Sequence, residues 1–365
     1  MALPFATLIA GKLKSEKFRL LDIGCSGGID PVWRSFEPAL QALGVDASVT
    51  ECERLRGLER NPDVSYVAAF AARSADKPID ISAGPAAPLI MKMRDRMSFM
   101  RTRELRDARL KQASTEEQLR HNAWEMTGLS DPSKTVVLPD LLAARGWTDL
   151  DYLKLDVDGA DFDILQSFAG RFDPLKVIAV QLEVNFVGTE QPDEHTFHNT
   201  DRFMRAQGFD LFRLDVRNFS VRALPARYVW PTPAETVSGR PFQGEAYYAR
   251  DILAPHRPAG SAWLGAEKVA KLAAVLAAWQ VADAAAELLV ARRDVLAPLL
   301  EIDDGLDLLA AQTQGARRRP LAYRDYMATF EADAPSFYRP EGPIPMRERL
   351  KSAWRGYWFP REKRH

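Results

Sequence analysis

Cysteine is nearly absent from this chain: 365 residues contain two, Cys25 and Cys52. Two thiols build neither a disulfide framework nor a cysteine-rich metal cluster, and a reducing cytoplasm is the expected compartment. Long apolar runs are missing as well. None approaches the roughly eighteen residues of a membrane span, so no spanning helix is expected. Neither sign of charge is in excess, since 49 Lys and Arg meet 50 Asp and Glu for a net charge of −1. That balance removes the global electrostatic case for a nucleic-acid partner. Residues 1–17 begin with ten mostly apolar positions but lack a basic start and a polar cleavage region, so they read as a docked segment or short helix. What is abundant is core-forming material. At 46% hydrophobic residues, the length suits one large domain with an appendage, or two domains.

The most informative stretch is Phe18–Gly28. Phe18, Leu20, Leu21 and Ile23 read as a short buried strand that runs directly into Gly24-Cys25-Ser26-Gly27-Gly28. Small residues there let a ligand approach the backbone, and the N–H groups of such a turn favour negative charge. A dinucleotide fold would show G-x-G-x-x-G, and the third glycine is not in register. A nicotinamide oxidoreductase is therefore disfavoured. Read as D-x-G-x-S-x-G, the run Asp22-Gly24-Ser26-Gly28 resembles the first motif of class I S-adenosylmethionine (SAM) methyltransferases. Asp22, Gly24, Cys25, Ser26 and Gly28 are accordingly candidate cofactor contacts. Residues 30–42 read as a helix or a helix plus turn, and 42–47 as a second strand. Asp46 ends that strand about 20 residues beyond Gly24, where nucleoside-binding α/β folds place an acid on the ribose hydroxyls. Glu37 lies too close to Gly28 for that part.

Val64–Phe70 is a third strand. Residues 71–135 then break the βα rhythm, and Leu89–Lys111 is a basic helical stretch. It is read either as a solvated helix face or as a lid over the cofactor that selects an anionic substrate. At Tyr152–Val157 a buried strand carries Lys154 and ends in Asp156 and Asp158; charge in so apolar a strand must be paired. Here the chain resembles the FkbM family of SAM-dependent methyltransferases. Lys154-Leu155-Asp156-Val157-Asp158-Gly159-Ala160-Asp161 is similar to that family's K-I-D-V-E-G-A-E block, with Asp158 and Asp161 for its two glutamates. Val136–Leu142 is similar to its T-L-D-x-L segment, with Pro139 as a departure, and Glu183-Val184-Asn185-Phe186 to its E-V-x-F. Together with the glycine turn the resemblance covers about 18–250; Ser26 stands where the family commonly has Asn.

The resemblance implies a Rossmann-like class I methyltransferase fold: an α/β architecture with a mostly parallel seven-stranded sheet. The strand near Tyr247 would be the antiparallel last one, and a C-terminal helical appendage would follow. The expected domains are 1–255, with the insertion at about 71–135; a helical appendage at 256–320; and an irregular basic-aromatic tail at 321–365. The implied reaction is O-methylation of a saccharide or other hydroxyl acceptor, with SAM as cofactor. The alternative is a non-catalytic SAM-binding or empty module that scaffolds partners. Methyl transfer needs an aligned nucleophile and a group to take or weaken its proton. Asp156, Glu183 and His195 are the catalytic candidates, with Asp156 also on the cofactor, while His198 and Asp158 lie nearby. Asp156 or Asp158 with Glu183 and Asn185 would suit Mg²⁺ by hardness, but no spacing motif supports a metal and none is assigned. Expected partners are a small-molecule or glycan acceptor, anionic or lipid-linked in one version. Further expectations are peripheral membrane contact through the tail at Arg347–His365 and homo-oligomer contacts through the apolar faces of 261–312.

Overall fold

The computed structural model describes residues 3–13, 16–75, 93–110, 135–157, 159–230, 234–256, 264–315 and 319–334. The tail at Arg347–His365, Asp158 and much of the insertion lie outside them. Contacts divide the chain into two compact units, Met1–Gly305 and Leu306–His365.

The first unit is organised on β1 (Phe18–Ile23), β2 (Leu40–Asp46), β3 (Val64–Ala68), β6 (Tyr152–Leu155), β7 (Ala179–Asn185), β8 (Asp210–Phe219) and β9 (Arg240–Ala249). They form one sheet in the order β3-β2-β1-β6-β7-β9-β8. All neighbours are parallel except β9, which is antiparallel to both β7 and β8. This is the Rossmann-like methyltransferase order with its reversed last strand, and β1 sits centrally, as the resemblance implied. Two further short strands, β4 (Phe70–Ala71) and β5 (Thr135–Val136), pair with each other at the two ends of the insertion.

Alternation along each strand separates two faces. Leu21, Ile23, Leu43, Val45, Leu153 and Leu182 point to one side. There they pack with residues of α4 (Leu138–Ala144), α5 (Asp161–Gln166) and α6 (Phe197–Ala206). The other face begins apolar and turns polar along the strands. Phe18 stacks on Phe36 at 3.9 Å between ring centroids, and Trp33 and Trp279 lie 4.2 and 5.9 Å from Tyr152. Further along β6 and β1 the same face carries Asp22 and Lys154, opposite each other in register. The apolar half is roofed by α1 (Pro4–Lys12) and α7 (Ala266–Ala278). Of α7, Leu272, Val275 and Leu276 are fully buried. The helices α7, α8 (Ala282–Ala291) and α9 (Arg293–Leu296) lie in the first unit, so the segment expected as an appendage over 256–320 begins inside it.

Residues 30–42 differ from expectation. Only Trp33–Phe36 forms a 3₁₀ turn, and β2 already begins at Leu40. Pro31 and Pro38 bracket the segment; proline interrupts helical hydrogen bonding and biases the residue before it away from helix. In the second unit, Gln314 bonds both the N–H and the carbonyl of Leu321, and Asp307 accepts the Tyr323 N–H at the start of α11 (Tyr323–Ala332).

Candidate active site

The glycine turn is shaped by contacts that no larger residue would permit. Gly24, Gly27 and Gly28 have φ of +77°, +88° and +92°. A Cβ on Gly24 would lie 1.8 Å from the carbonyl oxygen of Asp156, so β1 and β6 close together only over a glycine. The Gly24 N–H bonds the Val45 carbonyl at 2.9 Å and ties the turn to β2. Cys25 is turned away from the turn's open side. Its thiol is buried against β2, where a Cβ on Gly44 would come within 2.7 Å of the sulfur. The Cys52 thiol and burial push Cys25 well above the ordinary thiol range, so it is a neutral packing group and offers a ligand only its backbone.

Asp46 ends β2 and starts the next helix, α2 (Val49–Leu58). Its Oδ1 accepts the Ser48 N–H at 2.8 Å, while Ser48 Oγ caps the helix by accepting the Glu51 N–H at 3.1 Å. Burial raises the Asp46 carboxyl above its usual range, opposed by backbone bonds from Ser48 and Ser26. The bond to Ser26 places this carboxylate against the glycine turn. Glu51 reaches back to the same turn and accepts the Gly27 N–H at 2.9 Å.

Lys154 bridges two acids, 3.3 Å from Asp22 Oδ1 and 3.4 Å from Asp156 Oδ2. The pairing demanded by a charged residue in this strand is therefore present. Burial alone would lower the Lys154 ammonium; the two carboxylates more than offset it and hold the pKa above its ordinary value. Burial raises the Asp22 carboxyl, with Lys154 opposing. Asp156 is the open member, its side chain 35% exposed against 4% for Asp22. The structure thus brings Asp22, Gly24, Ser26, Gly28, Asp46 and Asp156 to one edge of the sheet.

Segment 102–211 matches the family described as Methyltransferase FkbM domain. That segment holds the Lys154–Asp161 block and Glu183–Phe186, the stretches on which the resemblance to FkbM methyltransferases rests. No curated protein matches the chain. Among solved structures it is similar to a putative S-adenosylmethionine-dependent methyltransferase from Listeria monocytogenes, at 10% identity and a TM-score of 0.31, covering 67% of this chain and 99% of that one. It is likewise similar to the YcgJ protein from Bacillus subtilis, at 10% identity and a TM-score of 0.30, covering 67% and 97%. A third is magnesium protoporphyrin IX methyltransferase from Synechocystis PCC 6803 with bound SAM, at 9% identity and a TM-score of 0.28, covering 67% and 77%.

A second polar cluster lies across β7, β8 and β9. Glu183 stands directly opposite Glu245 in the β7–β9 register. Arg217 of β8 reaches both, 3.5 Å from Glu183 Oε1 and in close contact with Glu245 Oε1. Gln243 donates to Glu183 Oε1 at 3.4 Å, and Gln181 to Glu245 Oε2 at 3.2 Å. The chain continues inward, because Tyr152 donates to Gln181 Oε1 at 2.6 Å and Trp279 Nε1–H to the Tyr152 oxygen at 3.1 Å. Burial raises the Glu245 carboxyl, and the nearby Asp156 charge adds to the effect. Arg217, Gln243, Glu245 and Gln181 were not among the sequence candidates. Their signal is the two-residue alternation of Arg213, Asp215, Arg217 and of Gln243, Glu245, Tyr247, but only pairing of β8 with β9 puts them beside Glu183.

His195 lies elsewhere than expected of a base. It is buried; its Nε2–H donates to the Glu183 backbone carbonyl at 2.9 Å, and its Nδ1 lies 3.3 Å from Asn185 Nδ2 and 3.6 Å from Asp161 Oδ2. Asp161 in turn accepts the N–H groups of Val157 and Gly159 at 2.9 and 3.0 Å. This arrangement makes His195 a brace between β7 and the segment after β6. His198 sits on α6 with its Nε2 3.3 Å from Thr196 Oγ1. Asn185 Oδ1 is buried with no hydrogen-bond partner among the described residues.

The described part of the basic insertion is the helix α3 (Ser98–Leu110). It is anchored at the same end of the sheet. Met97 and Phe99 share a small core with Val187, Phe219 and Phe242, and Ser98 Oγ lies 2.8 Å from Ser220 Oγ. A surface cleft of about 700 Å³ opens beside Gly28, Arg34, Glu59 and Tyr66, but Arg34 is already forked onto Glu59 at 2.7 and 3.0 Å. Among the described residues no group of three or more His, Cys, Asp or Glu side chains could hold a metal ion, and no helix is long and apolar enough to cross a membrane.

Proposed function

We propose that this chain is an O-methyltransferase that uses SAM and acts on a hydroxyl of a saccharide or similar polyol. The observation that carries the reading is the continuity of the glycine turn, through Asp156, with the cluster of carboxylates and amides formed by Glu183, Glu245, Gln181 and Gln243. Such a cluster offers many acceptors to hydroxyl donors, and its acid excess disfavours an anionic group at the reacting position. A negatively charged part of the acceptor would instead meet the arginines of α3.

The residues at the turn fit the cofactor. Gly24 lets the turn stand directly against the backbone of Asp156, and Asp46 presents a carboxylate at the ribose position of nucleoside-binding α/β folds. Asp22 and Asp156 provide negative charge for an ammonium group, and Lys154 holds both carboxylates in place. When bound, SAM supplies an electrophilic methyl group on a sulfonium. Asp156, the more open acid, accepts a hydrogen bond from the acceptor hydroxyl and takes its proton as the oxygen attacks. Glu183, fixed by Arg217 and Gln243, aligns the acceptor from the far side. His195 acts through Glu183 by holding the backbone of β7.

Calorimetry with SAM and S-adenosylhomocysteine, followed by an acceptor panel, tests the reading. Both ligands should bind, and Asp46→Ala should weaken binding by about 1–3 kcal/mol, the scale of charge-assisted hydrogen bonds. Tight binding of NAD with none of SAM would overturn it. Binding without turnover on any hydroxyl acceptor would favour a non-catalytic module.

A further inference from the structure

We infer that the β8–β9 connection and α3 together form a surface that docks on an anionic lipid bilayer. Two backbone bonds tie its flanking segments together: the Val229 N–H bonds the Glu235 carbonyl at 3.0 Å, and the Val237 N–H bonds the Arg227 carbonyl at 2.8 Å. Val221 and Tyr228 pack inward beneath α3, while four other apolar side chains face outward. Leu224 is 81% exposed, Val237 71%, Trp230 66% and Val229 44%. Single exposed apolar residues are ordinary on a protein surface, but four of them within 224–237, one a tryptophan, make a patch that calls for a partner. Tryptophan and leucine projecting from a turn suit the boundary between headgroups and acyl chains, where an amphipathic ring keeps its polar edge wet.

Charge selects the kind of partner. Residues 93–110 and 220–240 carry nine arginines against four acids, a net charge of +5 in a chain whose total is −1. The two segments are held as one piece. Thr102 Oγ1 lies 2.6 Å from the Tyr228 hydroxyl, and Arg222 donates to Glu104 at 2.9 Å and to the Asp95 carbonyl at 3.2 Å. Apolar tips and positive charge on one rigid support are complementary to a layer of acidic headgroups over hydrocarbon. This inference does not depend on methyl transfer, and vesicle binding is measured without any acceptor.

The full chain should sediment with vesicles of phosphatidylglycerol and phosphatidylcholine, less so as salt is raised, and weakly with phosphatidylcholine alone. Leu224→Ser with Trp230→Ser should lower partitioning by about tenfold or more while thermal melts stay unchanged. Absence of binding to anionic vesicles would overturn the inference. So would undiminished binding by the double variant, since another part of the chain would then be responsible. A concentration-dependent dimer abolished by the same variant would assign the patch to a second copy of the chain and equally overturn it.

Discussion

The two edges of the central sheet handle charge in opposite ways. At the N-terminal edge of the strands, Lys268 and Lys271 of α7 enter an apolar interior. Lys268 meets Asp149, Asp151 and the Lys176 carbonyl; Lys271 meets Glu16, Asp151 and the Lys17 carbonyl. With Arg19 beside Asp149 and its N–H on Asp151, three bases meet three acids, and each ammonium has three oxygen partners. At the C-terminal edge, Asp22, Asp156, Glu183 and Glu245 share Lys154 and Arg217. Four acids on two bases leave negative charge that a substrate or cofactor can complete. Matched charge fixes structure; mismatched charge at a partly open edge is held for binding.

The largest effect should come from unbalancing the matched edge. Asp151 is fully buried, and Asp151→Ala leaves two ammonium groups without their shared carboxylate. A loss of about 3–5 kcal/mol in denaturant unfolding is expected, with methyl transfer per folded molecule unchanged. A loss below about 1 kcal/mol would show that the two edges do not differ in kind. Next comes the open edge. Asp156→Asn keeps shape and removes charge, so turnover should fall by about 10²-fold or more while unfolding free energy barely moves. Wild-type turnover in that variant would pass the proton-accepting role to Glu183.

The smallest effect sharpens the contrast through pH. A carboxyl raised by burial contributes full stability below its unfolded pKa and loses it as pH rises through the folded value. Asp22 is such a group. Relative to the wild type, Asp22→Asn should therefore become more stable as pH rises from acid to neutral. Melts of both proteins across that range measure the slope. An opposite slope would mean that Lys154 dominates burial at this site.

The proposed cofactor half was legible because its information is local. One strand runs into one glycine turn, and one block holds Lys154, Asp156 and Asp161, so short spacing carries the chemistry. The proposed acceptor half was legible only at Glu183. Arg217 and Glu245 reach it through antiparallel pairing of β8 and β9, a relation between residues far apart that periodicity within either strand does not encode. Lys268 and Lys271 were hidden for a similar reason. An alanine-leucine pattern identifies the apolar face of a helix without naming what that face meets. At His195 the sequence located the loop correctly and could not tell that the ring turns inward onto the Glu183 carbonyl.

The reversed β9 divides inheritance within the site. Groups at the glycine turn come from β1, β2 and β6, whereas Arg217, Gln243 and Glu245 come from the β8–β9 pair, which joins the sheet only through β7. Arg217 and Gln243 make their bonds to Glu183 and Glu245, away from Gly24 and Asp46, whereas the Glu245 charge is felt at Lys154 and Asp156. On the proposed reading, a lineage of such proteins, or an engineer recombining them, would change the acceptor side by grafting one hairpin while the strands of the glycine turn stay the same.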